Sequence, residues 1–212
     1  MSKIPEIRIY HSFLLAGRES KTLAGDHQLR TYQEYSKDVV DYKKHWKKYE
    51  KRIIKALQDA VGLKFYKSVI DVACAPYFIP KSEPLIMSYY SEPDQFVDVL
   101  THELSHVLLT DNDILQIRSD NPPNPSLNER WVDMYGDLDS NVLAHIPVHA
   151  MSKHIYVDIL NEESRLERDK EMCKKWVHNK PYVDAWDYVE AHGYMEIIER
   201  LKKMYADIKN EN

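Results

Sequence analysis

Five consecutive residues carry the clearest chemical signal in the chain: His102-Glu103-Leu104-Ser105-His106, an HExxH pattern. Side chains four residues apart on a helix lie one above the other, so His102 and His106 can direct two imidazoles at one ion. Glu103 lies beside that pair and can take a proton from a metal-bound water. Zinc accepts imidazole and carboxylate ligands and tolerates three protein ligands with an open fourth position. The spacing therefore predicts a Zn²⁺ site with Glu103 as its general base.

This chemistry needs a helix, and the flanking sequence predicts one. The residues SEPD at 91–94 form a helix-start signature, because Ser91 can cap a helix, Pro93 fits its first turn and acids favour that end. An apolar stripe at helical spacing runs through the motif and ends at Leu108. We expect the helix to end near Thr110 and residues 110–127, with three prolines, to form a loop.

The remaining pattern predicts an α+β fold in which a small sheet of a few strands packs with the central HExxH helix. Strands are expected at about residues 6–13, 68–75 and 85–90, and an amphipathic helix at 32–61, ended by Gly62. The C-terminal half reads as mostly helical, with breaks at Pro181 and Gly193. Without a dividing linker, residues 1–212 are predicted to be one domain, with a core at about 68–160 and a helical region at about 161–212.

Two strands followed by a helix with HExxH resemble the zincin superfamily of zinc metallopeptidases. The resemblance covers roughly residues 69–149. The longer pattern, HELSHVLL followed downstream by HIPVHA, is similar to uncharacterised bacterial and archaeal metallopeptidase-like proteins. The resemblance implies a zincin-like fold, cleavage of peptide bonds and, by analogy, an edge strand at 85–90 that aligns the substrate.

The subfamily decides which residue is the third zinc ligand. The metzincin pattern HExxHxxGxxH would need glycine and histidine where this chain has Leu109 and Asn112, so a gluzincin-like site is favoured. Gluzincins take the third ligand from a later helix, often within an NExxxD run, which residues 128–133 match. This resemblance implies that Glu129 binds the metal and that Asp133 holds a ligand imidazole by its other nitrogen.

A competing source of the third ligand is the segment His145-Ile146-Pro147-Val148-His149. Pro147 disfavours helical backbone at the preceding residue, so we expect it to open a helix, with His145 in the entering turn and His149 in the first helical turn. Either histidine could complete a three-histidine site. We rank His149 first as third ligand, Glu129 second and His145 third.

Composition narrows the classes of partner. With 29 basic and 34 acidic side chains, the 212-residue chain has a net charge of −5, which gives it no general attraction to nucleic acid or anionic lipid. Its two cysteines exclude a disulfide framework and a four-cysteine zinc site. No apolar run reaches the roughly 20 residues of a membrane span, and no signal peptide is evident. We expect a cytoplasmic location, a peptide or protein substrate, and neither nucleic acid nor membrane as partner.

The favoured hypothesis is thus a zinc-dependent hydrolase, most specifically a metallopeptidase. The first alternative is a catalytically inactive zinc-binding domain with a regulatory or partner-binding role, which would have a closed four-ligand site. The second is a metal-free helical scaffold whose aromatic and basic helix at 32–61 binds a partner. An open three-ligand metal site would separate the enzyme from both alternatives.

Overall fold

A computed structural model describes residues 4–15, 30–117, 127–175 and 180–211 of the chain. It confirms the α+β class, with helix predominating over one small mixed sheet, whereas the zincin-like fold remains a prediction. Among the described residues, none of the helices combines the length and the apolar character that crossing a membrane requires. In chain order the elements are β1 (Glu6–His11), α1 (Tyr32–Val61), β2 (Val69–Cys74), β3 (Lys81–Ser82), β4 (Leu85–Met87), α2 (Pro93–Ile117), α3 (Leu127–Tyr135), α4 (Ser140–His154), a π-helix (Ile155–Leu160), α5 (Glu163–Lys175), α6 (Lys180–His192) and α7 (Tyr194–Glu211).

The chain forms two compact units, which are described separately below. The first unit comprises Met1–Lys51 and Lys67–Val107, and the second comprises Arg52–Tyr66 and Leu108–Asn212. The HExxH motif therefore lies in the first unit, and the segment with His145 and His149 lies in the second. The prediction of one domain over residues 1–212 stays a prediction.

The first unit contains a four-stranded sheet in the order β1-β2-β4-β3. β1 and β2 are parallel from the pair Glu6 and Val69 onwards, β2 and β4 are parallel, and β3 runs antiparallel to β4. The expectation of an edge strand at 85–90 was wrong, because β4 lies between β2 and the two-residue strand β3. The sequence around Lys81 is too short and polar to have predicted β3, which occupies the edge instead.

α1 follows the predicted bounds. Its apolar positions recur at helical spacing, and Tyr42, Trp46 and Ile53 are almost completely buried. The helix ends at Val61 because Gly62 adopts a φ of +68°, a left-handed conformation that stops a helix and that other residues reach only with strain. A Cβ at Gly62 would meet only Lys202 at 3.9 Å, so backbone conformation and not space requires the glycine.

A tyrosine of α1 fixes the segment that leads into the motif helix. The Tyr42 hydroxyl donates a hydrogen bond to the Tyr90 carbonyl and accepts one from the Tyr90 N–H, both at 2.7 Å. Its ring stacks on Phe96 with centroids 4.2 Å apart. Burial raises the pKa of Tyr42, so the hydroxyl keeps its proton and its donor role. One side chain thus satisfies both backbone groups of Tyr90, three residues before α2 begins.

α2 begins at Pro93 as predicted, since a proline in the first turn loses no intrahelical hydrogen bond. The predicted end near Thr110 was wrong, because the helix continues to Ile117. The polar residues after Thr110 resemble a loop in composition, but the Asn112 amide donates to the carbonyls of Leu108 and Lys64, at 2.8 and 3.0 Å. Residues 118–126 of the predicted loop lie outside the described residues.

The second unit is built around α4, which packs against α6 and α7. α4 begins at Ser140 and not at Pro147, so the predicted helix start was wrong. Asp139 caps the helix by accepting the Asn141 N–H at 2.9 Å, and Pro147 lies in the helix interior. Pro147 is one of ten buried residues of α4, and their burial outweighs its unfavourable helix propensity. His145 therefore lies within α4, not in an entering turn.

The C-terminal helices agree with the predicted breaks. Pro181 is the second residue of α6, where a proline is tolerated, and Gly193 separates α6 from α7 with a φ of +80°.

Candidate metal centre

His102 and His106 meet on one side of α2. Their Nε2 atoms are 3.3 Å apart, and their rings lie edge to face at 65° with centroids 5.0 Å apart. Both side chains are half-buried. This arrangement follows directly from the four-residue spacing on an uninterrupted helix.

The separation of the two nitrogens fits a shared metal ion. Two imidazole nitrogens about 2.0–2.1 Å from a tetrahedral zinc lie about 3.3–3.4 Å from each other. The 3.3 Å between the Nε2 atoms of His102 and His106 matches that separation. At this distance one Nε2 can donate a hydrogen bond to the other, and a metal ion would replace that shared hydrogen. The donor set, neutral imidazole, is one that zinc prefers.

Glu103 lies between the two histidines in sequence and is 6% exposed. Burial raises the pKa of Glu103 to about 8, because the charged carboxylate loses hydration. The pKa of Tyr90 is raised by burial first and then by the negative charge of Glu103, so the two groups are close enough to interact electrostatically. A carboxyl with a pKa near neutrality is suited to both accepting and returning a proton.

The buried side of α2 holds the motif in place. Thr101 and Ser105 are fully buried, and their hydroxyls donate to the carbonyls of Val97 and Thr101, at 2.8 and 2.9 Å. Leu100 and Leu104 are likewise fully buried. Because these side chains occupy the core side, rotation of the helix would expose apolar surface, and the histidine pair keeps its direction.

One ring nitrogen of His145 is held within its own helix. Its Nδ1 lies 2.5 Å from the Asn141 carbonyl, which can only accept, so Nδ1 carries the hydrogen and Nε2 carries the lone pair. Burial lowers the pKa of His145 and favours the neutral ring, although the Asn141 carbonyl opposes this shift. A ring nitrogen held by a backbone carbonyl is typical of metal-binding histidines. Tyr182 packs against the ring with centroids 4.0 Å apart.

His149, one turn later on α4, has different neighbours. It is fully buried, and its ring stacks on Trp186 of α6 with centroids 4.3 Å apart. A ligand atom of His149 lies within 4.8 Å of ligand atoms of Asp169 and Cys173, both on α5. The sequence analysis did not predict this group. The one sequence signal for a shared site was the four-residue spacing of Asp169 and Cys173. Both residues come 20 or more positions after His149, so the sequence did not connect them with that histidine.

Glu129 and Asp133 lie one turn apart on α3, and both side chains are exposed. Glu129 occupies the first turn of the helix, where an acid is favourable without any metal. Their predicted roles, as third ligand and as partner of a ligand imidazole, stay predictions, as does that of His149.

Comparisons with known proteins add no family to this geometry. No family model matches the chain, and neither the curated proteins nor the solved structures gave a match. The likeness to zincins therefore rests on the HExxH motif and its surroundings.

Proposed function

We propose that the protein is a zinc-dependent hydrolase, most specifically a metallopeptidase, with His102 and His106 as metal ligands. The observation that carries this proposal is the 3.3 Å separation of the two Nε2 atoms, which suits one tetrahedral zinc. A buried carboxyl adjacent in sequence, Glu103, supplies the proton-transfer group that hydrolysis needs.

In the proposed hydrolysis, the metal ion and Glu103 have different roles. Zinc held by His102 and His106 would supply Lewis-acid chemistry, activating a water and polarising a substrate carbonyl. Glu103 would then accept a proton from the attacking water and donate it to the leaving amine. A nearby dication would also lower the pKa of Glu103 from its buried value of about 8, which favours the carboxylate at neutral pH.

The third ligand stays a prediction from the sequence, which named His149, Glu129 and His145. Of these candidates, His149 lies beside Asp169 and Cys173, and Glu129 is exposed in the first turn of a helix.

Elemental analysis of purified protein tests the site. We expect about one zinc per chain fewer in His106→Ala than in wild-type protein, and an unchanged zinc content in Glu103→Gln and in the control His192→Ala. His192 is an exposed histidine on α6 and serves as the matched control. Equal zinc contents in wild-type protein and His106→Ala would contradict the site.

A peptide library then tests the activity. Cleavage by the wild type, absent from Glu103→Gln although that variant keeps its zinc, supports a metallopeptidase. Zinc bound at His102 and His106 without any hydrolysis would instead support the inactive zinc-binding domain.

A further inference from the structure

We propose that His149, Asp169 and Cys173 form a second metal site, of the zinc and cobalt(II) class, within the second unit. Imidazole, carboxylate and thiolate are all zinc ligands, and three of them leave one tetrahedral position for water. The site is independent of the HExxH motif, because it uses none of its residues.

The three ligand atoms already converge. They lie within 4.8 Å of one another, whereas ligands of a tetrahedral zinc lie about 3.3–3.7 Å apart. Closing the difference takes a shift of about 1 Å, which rotation of the short Asp169 and Cys173 side chains supplies. These two residues are four apart on α5, so one helix presents both ligands to the same side.

Trp186 supports two of the three groups. Its ring stacks on His149, at 26° between planes, and its Nε1–H donates to Asp169 Oδ2 at 3.1 Å. The first contact holds the imidazole plane, and the second holds the carboxylate. Hydrogen bonds and packing of this kind orient the ligands of natural metal sites.

One of the three ligands borders a cavity. Its volume is about 130 Å³, enough for several water molecules, and Cys173 and Trp186 belong to its lining. Two acids, Asp187 and Glu190, and two lysines, Lys170 and Lys174, also line it, and Glu190 pairs with Lys170 at 2.7 Å. The cavity therefore brings solvent to the Cys173 side of the site, with opposite charges balanced around it.

A cysteine beside a histidine and an aspartate could instead act as a nucleophile. Burial and, to a lesser extent, the charge of Asp169 raise the pKa of Cys173 to about 12, which opposes formation of the thiolate that a nucleophile needs. A dication held by His149, Asp169 and Cys173 would instead favour the thiolate, because its charge would offset those of the two negative ligands.

Cobalt(II) distinguishes the two sites, since only a thiolate ligand gives an intense near-ultraviolet charge-transfer band. Chelator-treated protein is titrated with Co²⁺ alone, and Zn²⁺ is then added to displace it. We expect the band in wild-type protein, in His106→Ala and in Cys74→Ala, and its loss in Cys173→Ser. Cys74 is the only other thiol and is fully buried in β2.

Asp169→Asn refines the test, because asparagine keeps an oxygen that can accept from Trp186 but loses the charge. We expect Co²⁺ affinity to fall by about 10–100-fold in this variant. Asp187 is an acid that lines the cavity beside Cys173 but is not one of the three ligands, so Asp187→Asn should leave the affinity unchanged.

Absence of the band at saturating Co²⁺ would overturn the second site, as would a band that persists in Cys173→Ser. If circular dichroism shows that Cys173→Ser is unfolded, Cys74→Ala decides, since Cys173 is then the only thiol and the band must persist. Loss of zinc from His106→Ala with an intact cobalt band would separate the two proposals.

Discussion

The Nε2 atoms of His102 and His106 face each other across 3.3 Å, one helical turn apart on α2. This spacing equals the separation of two imidazole ligands on one tetrahedral zinc, so folding of the helix brings the pair to the distance that a shared ion needs.

Zinc should therefore stabilise the folded protein. At a free zinc concentration 100 times the dissociation constant, the free energy of unfolding should rise by about 2.7 kcal/mol. Thermal unfolding with and without zinc measures the shift. His102→Ala should lose the part of the shift that this pair supplies, whereas His192→Ala should keep it all. The same shift in His102→Ala as in wild-type protein would show that zinc binds elsewhere.

Glu103 should make the stability of the metal-free protein depend on pH. Its folded pKa is about 8, above the ordinary 4.5. Between these two pH values the native state keeps a proton that the unfolded state has released. The free energy of unfolding should then fall as pH rises, by up to about 1.4 kcal/mol per pH unit, and level off above about pH 8. Urea unfolding in the presence of a chelator, at several pH values, measures this change in the free energy of unfolding.

Glu103→Gln is the matched variant, because it keeps the shape and removes the titration. Between about pH 5 and 8 its stability should vary less than that of the wild type. Parallel profiles for the two proteins would contradict a buried carboxyl with a raised pKa.

Tyr42→Phe should destabilise the first unit by about 1–3 kcal/mol. The change keeps the stack on Phe96 but removes the hydroxyl that serves both backbone groups of Tyr90. Urea unfolding measures the loss. Tyr66→Phe, an exposed tyrosine, is the control and should change stability by less than about 0.5 kcal/mol.

Asp139→Ala should cost about 1 kcal/mol, because it removes the oxygen that accepts the Asn141 N–H at the start of α4. Asp137→Ala, an exposed acid two residues earlier, should cost little. Equal denaturation midpoints for Asp139→Ala and wild-type protein would show that the cap does not set the start of α4.

Local signals predicted some elements well. Gly62 and Pro93 act through their own backbone preferences, so they marked the end of α1 and the start of α2 correctly. The histidine pair followed equally directly, because four residues on a helix fix a distance without help from the rest of the chain.

Other features depend on contacts that no local pattern records. Pro147 suggested a helix start, but the burial of its neighbours and the cap at Asp139 extend α4 seven residues towards the N-terminus. The interior position of β4 depends on the two-residue strand β3, whose sequence carries no strand signal. His149 meets Asp169 and Cys173 only because two different helices bring them together.

The parallel pairing of β1 with β2 has a consequence for biosynthesis. Glu6 pairs with Val69, so the whole of α1 is made between the two strands. β1 emerges from the ribosome with no partner and must wait for roughly sixty further residues before its ladder can form. Until then the backbone groups of β1 that will pair with β2 stay open to other hydrogen-bonding partners, so the order of synthesis lengthens the exposure of this strand.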